Sequence, residues 1–157
     1  MRTLLSLFLL VLSAGAAWAQ AGNVYVFVAP GALSCCGGSL ATIQGGVGGE
    51  VSVWKRLAAG AEIGALGPVE NIGSGFGVAS FNGYGHLLGS GRKLDPFVTG
   101  GYSLLWSNGH ANAGNVGAGL NYWFARHFGL RVEGRDHIRN QGQQVHYWGV
   151  RFGIAIH

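Results

Sequence analysis

The sequence is poor in charge, in cysteine and, past its first residues, in long hydrophobic runs, and each shortage excludes something. Only 10% of its 157 residues are charged while 48% are hydrophobic, against about a quarter charged in an ordinary soluble domain. That balance is foreign to a typical water-soluble globule. The formal net charge of +4 is small, and no basic stripe is interleaved with aromatics, so nucleic acid is not an expected partner. The two cysteines, Cys35 and Cys36, are adjacent, and neither sits where a lipoprotein anchor would need it. The 30 glycines follow no three-residue period, which excludes collagen. After residue 19 no apolar run is long enough for a membrane helix.

What is present begins with an export leader. Met1-Arg2 supplies a positive end, residues 4–12 form an apolar run broken only by Ser6, and Ala17-Trp18-Ala19 is an A-x-A cleavage site before Gln20. The run is too short to span a bilayer as a helix. The expected organisation is a signal peptide over residues 1–19 and a single domain over 20–157, placed in the bacterial outer membrane.

The last third shows the pattern that organises the rest. Val116, Ala118, Leu120, Tyr122 and Phe124 share one parity, against Asn115, Gly117, Gly119, Asn121 and Trp123. Phe128, Leu130 and Val132 then oppose Arg131, Glu133, Arg135 and His137, and Trp148, Val150, Phe152, Ile154 and Ile156 oppose Tyr147, Gly149, Arg151, Gly153 and Ala155. A period of two means β-strand. One face is unbroken hydrocarbon and the other carries both signs of charge, in strands about ten residues long, which is the length of a tilted transmembrane strand. Read backwards in the same way, the chain gives eight strands: 23–29, 45–54, 58–66, 76–88, 96–106, 115–124, 128–138 and 146–156. The fold expected is an all-β, eight-stranded antiparallel up-and-down transmembrane β-barrel. The facing of the first strand is unresolved, because both its parities are apolar.

Connections alternate in character. Turns at 55–57, 89–95 and 125–127 carry basic residues, whereas 30–44, 67–75, 107–114 and 139–145 read as longer loops. Short turns at one end and long loops at the other is the transmembrane-barrel pattern, and the even strand number puts both termini at the periplasmic end with the basic turns. Aromatics near strand ends (Trp54, Trp106, Tyr122, Trp123, Phe124, Phe128, Tyr147 and Trp148) suit an interfacial girdle, where a ring meets lipid and its polar atom meets water.

Register arithmetic places Asn121 opposite Arg131, Glu133 opposite Arg151 and, if Trp54 pairs with Ala58, Glu50 opposite Glu62. Facing carboxylates repel unless cations are near. Across an eight-stranded lumen, wide enough only for side chains or one small ligand, Glu50, Glu62 and Glu133 would meet Arg131, Arg135 and Arg151. The expectation is a mutually neutralising network of these six that fills the interior, with glycines making room for it.

The leader, the eight strands, the polar interior and the basic turns together resemble the small outer-membrane barrels of the OmpA/OmpX type. The stretches Asp95-Pro96-Phe97-Val98-Thr99-Gly100-Gly101-Tyr102 and 115–135 resemble the porin-like "outer membrane protein beta-barrel" group. The resemblance implies contact with outer-membrane lipids and insertion by the outer-membrane assembly machinery, which reads a final amphipathic strand usually ending in an aromatic residue. Here the outward series ends at Ile156, and His157 follows.

Other constellations are thinner. An exported Cys35–Cys36 pair could form a disulfide, though adjacent Cα atoms about 3.8 Å apart make a vicinal bridge strained. No metal site or cofactor motif is present. Asp136, His137, His110, His146 and Ser107 are candidates for a rim catalytic site, but Asp136 and His137 fall on opposite faces, and no nucleophile elbow or phosphate loop occurs. The expected protein is a non-enzymatic monomer with a filled lumen and a structural role, or one that meets an unspecified ligand through its loops. Two alternatives stay open: a small passive pore, and a secreted soluble barrel with the parities reversed around an apolar ligand.

Overall fold

The computed structural model describes residues 22–35, 37–88, 92–107, 109–139 and 144–157. The expected leader at 1–19 lies outside them. Eight strands run in chain order: β1 Gly22–Cys35, β2 Gly38–Trp54, β3 Leu57–Pro68, β4 Phe76–His86, β5 Leu94–Trp106, β6 His110–Trp123, β7 Phe128–Arg139 and β8 Val145–Ile156. Each pairs antiparallel with its neighbours, and β8 pairs back onto β1 to close a barrel. Closure removes both sheet edges, so no row of backbone donors is left over.

The two-residue period sets the two surfaces. Phe81, Val116, Leu130, Val132, Phe152 and Ile154 all point outward and stay exposed, while Arg131, Glu133, Arg135 and Arg151 point inward and are buried. β1 follows the same rule: Val24, Val26 and Val28 face out, and Tyr25, Phe27 and Ala29 face in. Both its parities are apolar because its inward side supplies rings to the lumen rather than ions. The only charged outward residue in the described strands is Asp136. It sits toward the end away from the termini, where its Oδ2 lies 2.9 Å from His146 Nδ1.

The connections differ from expectation. Residues 30–44 are not a long loop. β1 and β2 continue as one hairpin as far as Cys35, which stands opposite Gly38, with Gly37 at φ +79°, a conformation glycine adopts without strain. Pro30 is accommodated because the β1–β8 ladder skips Ala29 and Pro30 and resumes at Gly31 opposite Gly149. A proline has no N–H to give there. β6 likewise starts at His110, so the 107–114 connection shrinks to 107–109. The contrast between short turns and long loops is therefore absent, because strands run on where loops were expected. Cys35 ends β1, whereas Cys36 lies outside the described residues.

Candidate functional site: a charged lumen

The β2–β3 turn decides where the acidic residues stand. Trp54 pairs with Leu57 rather than Ala58, and a bulge between Ser52 and Trp54 shifts the register again. Two residues, Lys55 (φ 38°) and Arg56, make the turn. Glu50 then faces Gly60 and Glu62 faces Gly48, so the expected side-by-side carboxylates do not occur. Each faces a glycine, and the bulge relieves a repulsion that the simple hairpin would have imposed.

The vacated space is filled by rings. Arg131 is stacked among Phe97, Tyr25 and Tyr84, with its guanidinium carbon 4.1, 4.2 and 5.2 Å from their ring centres. Arg151 lies 4.3 Å over Phe27. Cation–π contact with desolvated rings partly replaces the hydration these cations lose. The inward glycines make this possible. A Cβ at Gly48 would stand 2.8 Å from the Tyr25 ring and 2.7 Å from Glu62 Cγ, and one at Gly119 would stand 2.6 Å from Phe97 Cζ. Gly48→Ala should therefore destabilise the barrel by about 1–3 kcal/mol through overpacking, read as a lowered urea midpoint. Gly83→Ala, whose outward Cβ would meet one backbone oxygen at 3.8 Å, should change it little.

Through this packed layer runs one connected set of ion pairs. Glu62 is its hub. Oε2 accepts from Arg135 Nη1 at 2.7 Å and from Arg151 Nη1 at 2.8 Å, while Oε1 accepts from the Tyr25 hydroxyl at 2.7 Å and the Tyr84 hydroxyl at 3.1 Å. Glu133 bridges two arginines of its own strand, taking Arg131 Nε at 3.3 Å and also Arg135 Nε. Glu50 accepts from Arg131 Nη1 at 3.4 Å and from Asn23 Nδ2 at 2.8 Å. Glu133 and Arg151 are register neighbours, yet among the described residues they form no ion pair. Arg151 instead reaches across the lumen to Glu62 and to Gln44 Oε1 at 3.2 Å.

Two charged members were not anticipated as a pair. The sequence suggests a turn at Asp95, but β5 begins at Leu94 and turns Asp95 inward, where it is buried. His86 stands between carboxylates, with Nδ1 2.8 Å from Asp95 Oδ2 and Nε2 3.5 Å from Glu50 Oε1. Four buried carboxylates against three guanidiniums leave one negative charge, which His86 is placed to offset. The alternation of β4 already put His86 inward. Pro96 obscured the start of β5, since a proline near a strand end reads equally as a turn.

Toward the termini the lumen opens into a cavity of about 620 Å³, floored by Glu50, His86 and Asp95 and ringed by Lys55, Arg92, Lys93 and Arg126. In the middle, the space enclosed by Tyr25, Phe27, Arg131, Glu133 and Arg151 has no room for a water-sized sphere. Of the aromatics expected in an outer girdle, Trp54, Trp106, Tyr122, Phe124, Phe128 and Trp148 are exposed on the outside. Trp123 and Tyr147 are not. Trp123 packs inward on the cluster of Tyr25, Phe27 and Ala29, and Tyr147 is buried with Leu66 and Val78. Both sit on the inward parity of their strands, which outweighs their nearness to strand ends.

The candidate catalytic residues are dispersed. Asp136 meets His146 outside the barrel, while His137 is buried inside with Nδ1 3.0 Å from Ser103 Oγ. Ser107 and His110 lie on the rim. The described residues bring no nucleophile, base and orienting acid into one set.

No protein-family model matches the chain, and no curated protein matches it. Solved structures do. Neisserial surface protein A (NspA) superposes with a TM-score of 0.70 at 13% identity, over 86% of this chain and 96% of that one. The N-terminal β-barrel domain of Pseudomonas aeruginosa OprF gives 0.66 at 15% identity, over 87% and 96%. Ail, the attachment invasion locus protein of Yersinia pestis, solved with the heparin analogue sucrose octasulfate, gives 0.51 at 11%, over 85% and 97%. At such identities the likeness is one of fold: the eight-stranded antiparallel barrel of small outer-membrane proteins.

Proposed function

We propose that this chain is a monomeric bacterial outer-membrane protein whose lumen is plugged and which acts through its outer rim, as a structural element or a surface-interaction module. Residues 1–19 direct export and are removed, and the assembly machinery inserts residues 20–157. The termini and the basic turns around Lys55, Arg56, Arg92, Lys93 and Arg126 lie at the periplasmic end. The observation that carries this reading is the inversion of an ordinary core. Hydrocarbon covers the outside of a closed cylinder, and ion pairs fill the inside. Such a surface is stable only where lipid replaces water. A soluble barrel around an apolar ligand would need these faces exchanged.

The heparin analogue bound to the Yersinia barrel does not suggest the same ligand here. The basic side chains of this chain concentrate at the termini end, whereas Arg139 is the only described Lys or Arg beyond the packed layer at the other end. The filled middle layer also disfavours a pore. Purified protein refolded in detergent should show heat-modifiable migration on a gel, and in planar bilayers it should give no steady single-channel conductance. Regular conductance steps would replace the plugged barrel with the passive pore.

A further inference from the structure

At the end of the barrel away from the termini, a second cavity of about 350 Å³ opens above the packed layer, within the size range of small-molecule sites. Its walls are largely apolar, with Leu33, Phe76, Leu105, Val145 and Tyr147 among them, and no Asp or Glu lines it among the described residues. The register identifies its floor. Leu105, Ala113, His137 and Tyr147 are the deepest lining residues on β5 to β8, and one inward step below the first two stand Ser103 and Asn115.

Two nitrogens in this apolar wall are buried without a hydrogen-bond partner among the described residues: His137 Nε2 and Arg139 Nε. They belong to residues two apart on β7, hence on one face. His137 is 4% exposed, and an orphaned polar atom so placed is costly unless something else completes it. The ring is fixed from two sides. It packs against Tyr147 with centroids 5.5 Å apart, and Nδ1 lies 3.0 Å from Ser103 Oγ. Ser103 Oγ accepts from Asn115 Nδ2 at 2.9 Å and lies 2.8 Å from Ser80 Oγ. Only when Ser80 donates to Ser103, and Ser103 to Nδ1, do both buried hydroxyl protons find acceptors among the described residues. That arrangement leaves the imidazole proton on Nε2, a donor with no acceptor among the described residues.

We propose that this cavity is a binding site for a single-chain carboxylate with a hydrocarbon body, a medium-chain fatty acid anion. Its carboxylate takes the His137 Nε2–H and the Arg139 guanidinium, and its chain lies along Leu33, Phe76, Leu105, Val145 and Tyr147. Among the described residues the wall holds one formal cation and no anion, which selects the sign of the head group. Apolar lining with a few convergent donors selects the class. A donor pair two residues apart on one strand suits the two oxygens of a carboxylate. The site does not depend on the barrel's role in the membrane, since its walls are all inward or rim residues.

The test uses the full mature chain refolded in lipid nanodiscs, with folding of every variant checked by heat-modifiable migration. Decanoate labelled at its carboxyl carbon is titrated and its NMR shift followed, with empty nanodiscs as the blank. A saturable shift at one site per barrel is expected. Decanol and decylamine should compete about tenfold or more weakly, because neither offers a charged acceptor to the two donors. Arg139→Gln and His137→Phe should each weaken decanoate by a similar factor, and Leu105→Trp, which fills the cavity, should abolish the shift. Partitioning equal to that of empty discs, competition by decanol equal to that of decanoate, or unchanged binding in folded Leu105→Trp would each overturn the proposal. Failure of the barrel to enter lipid would overturn the function proposed above instead. The same titration would then be run on the soluble form.

Discussion

Glu62→Ala should cost the barrel about 3–5 kcal/mol, enough to prevent recovery of the folded band after refolding, because it strands the buried Arg151 guanidinium and takes one of Arg135's two carboxylate partners. Arg135 Nη1 and Arg151 Nη1 share Glu62 Oε2 at 2.7 and 2.8 Å, and the Tyr25 and Tyr84 hydroxyls converge on Oε1. Among the described residues no other side chain of the lumen takes four donors. Glu62→Gln keeps the shape, removes the charge and should fall between Ala and the parent. A rescue distinguishes an ionic hub from simple packing. Arg135 retains Glu133 as a second partner, whereas Arg151 has only Glu62 among the described carboxylates. Glu62→Gln with Arg151→Gln should therefore recover much of the loss, since removing both members of a buried pair avoids the unpaired charge. Glu133→Gln with Arg151→Gln should recover little, although those two residues are register neighbours. Urea midpoints read from the heat-modifiable band, in a double-mutant cycle, give the coupling energy directly. Equal, additive losses in both pairs would sink the network as described.

Val132→Arg should be nearly as damaging for the opposite reason. Val132 sits midway along β7, points outward, and is paired with Leu120 on one side and Phe152 on the other. In a bilayer, an arginine at that height costs about 2–4 kcal/mol, falling toward zero near the interfaces. The same substitution at Phe128, four residues nearer the turn, should cost much less. Equilibrium unfolding from lipid vesicles gives both numbers. If Val132→Arg were neutral, the outer face would be wet and the transmembrane reading would fail. Spin labels at Leu130 and Phe152 offer a second readout: accessibility to a lipid-soluble relaxer is expected to exceed accessibility to a water-soluble one.

Both results follow from which side of a strand a residue occupies, and that much is plain in the sequence. Alternation of Arg131, Glu133 and Arg135 with Leu130, Val132 and Gly134 forces ions to one face whatever the strand pairs with. The β6–β7 and β7–β8 registers also follow from turn length: Asn121 stands opposite Arg131 and Glu133 opposite Arg151. The β2–β3 register does not. It depends on a bulge and on Lys55 at positive φ, neither of which leaves a periodic trace. Strand ends are not legible where Pro30 and Pro96 sit inside strands, because the penalty for a proline depends on whether its neighbour needs an N–H, and only the ladder shows that.

The chain's own pattern of apolar and polar residues therefore determined the strands, their number and the sign of each face, since a side chain's direction along a strand is a local property of the backbone. Which ions meet is not local. Glu62 reaches Arg135 and Arg151 across 73 and 89 residues of chain, and these contacts exist only because β8 closes on β1 and brings opposite walls within one side-chain length. Closure likewise made the inward-facing Tyr147 and His137 walls of one outer cavity, with His137 Nε2 unmatched among the described residues.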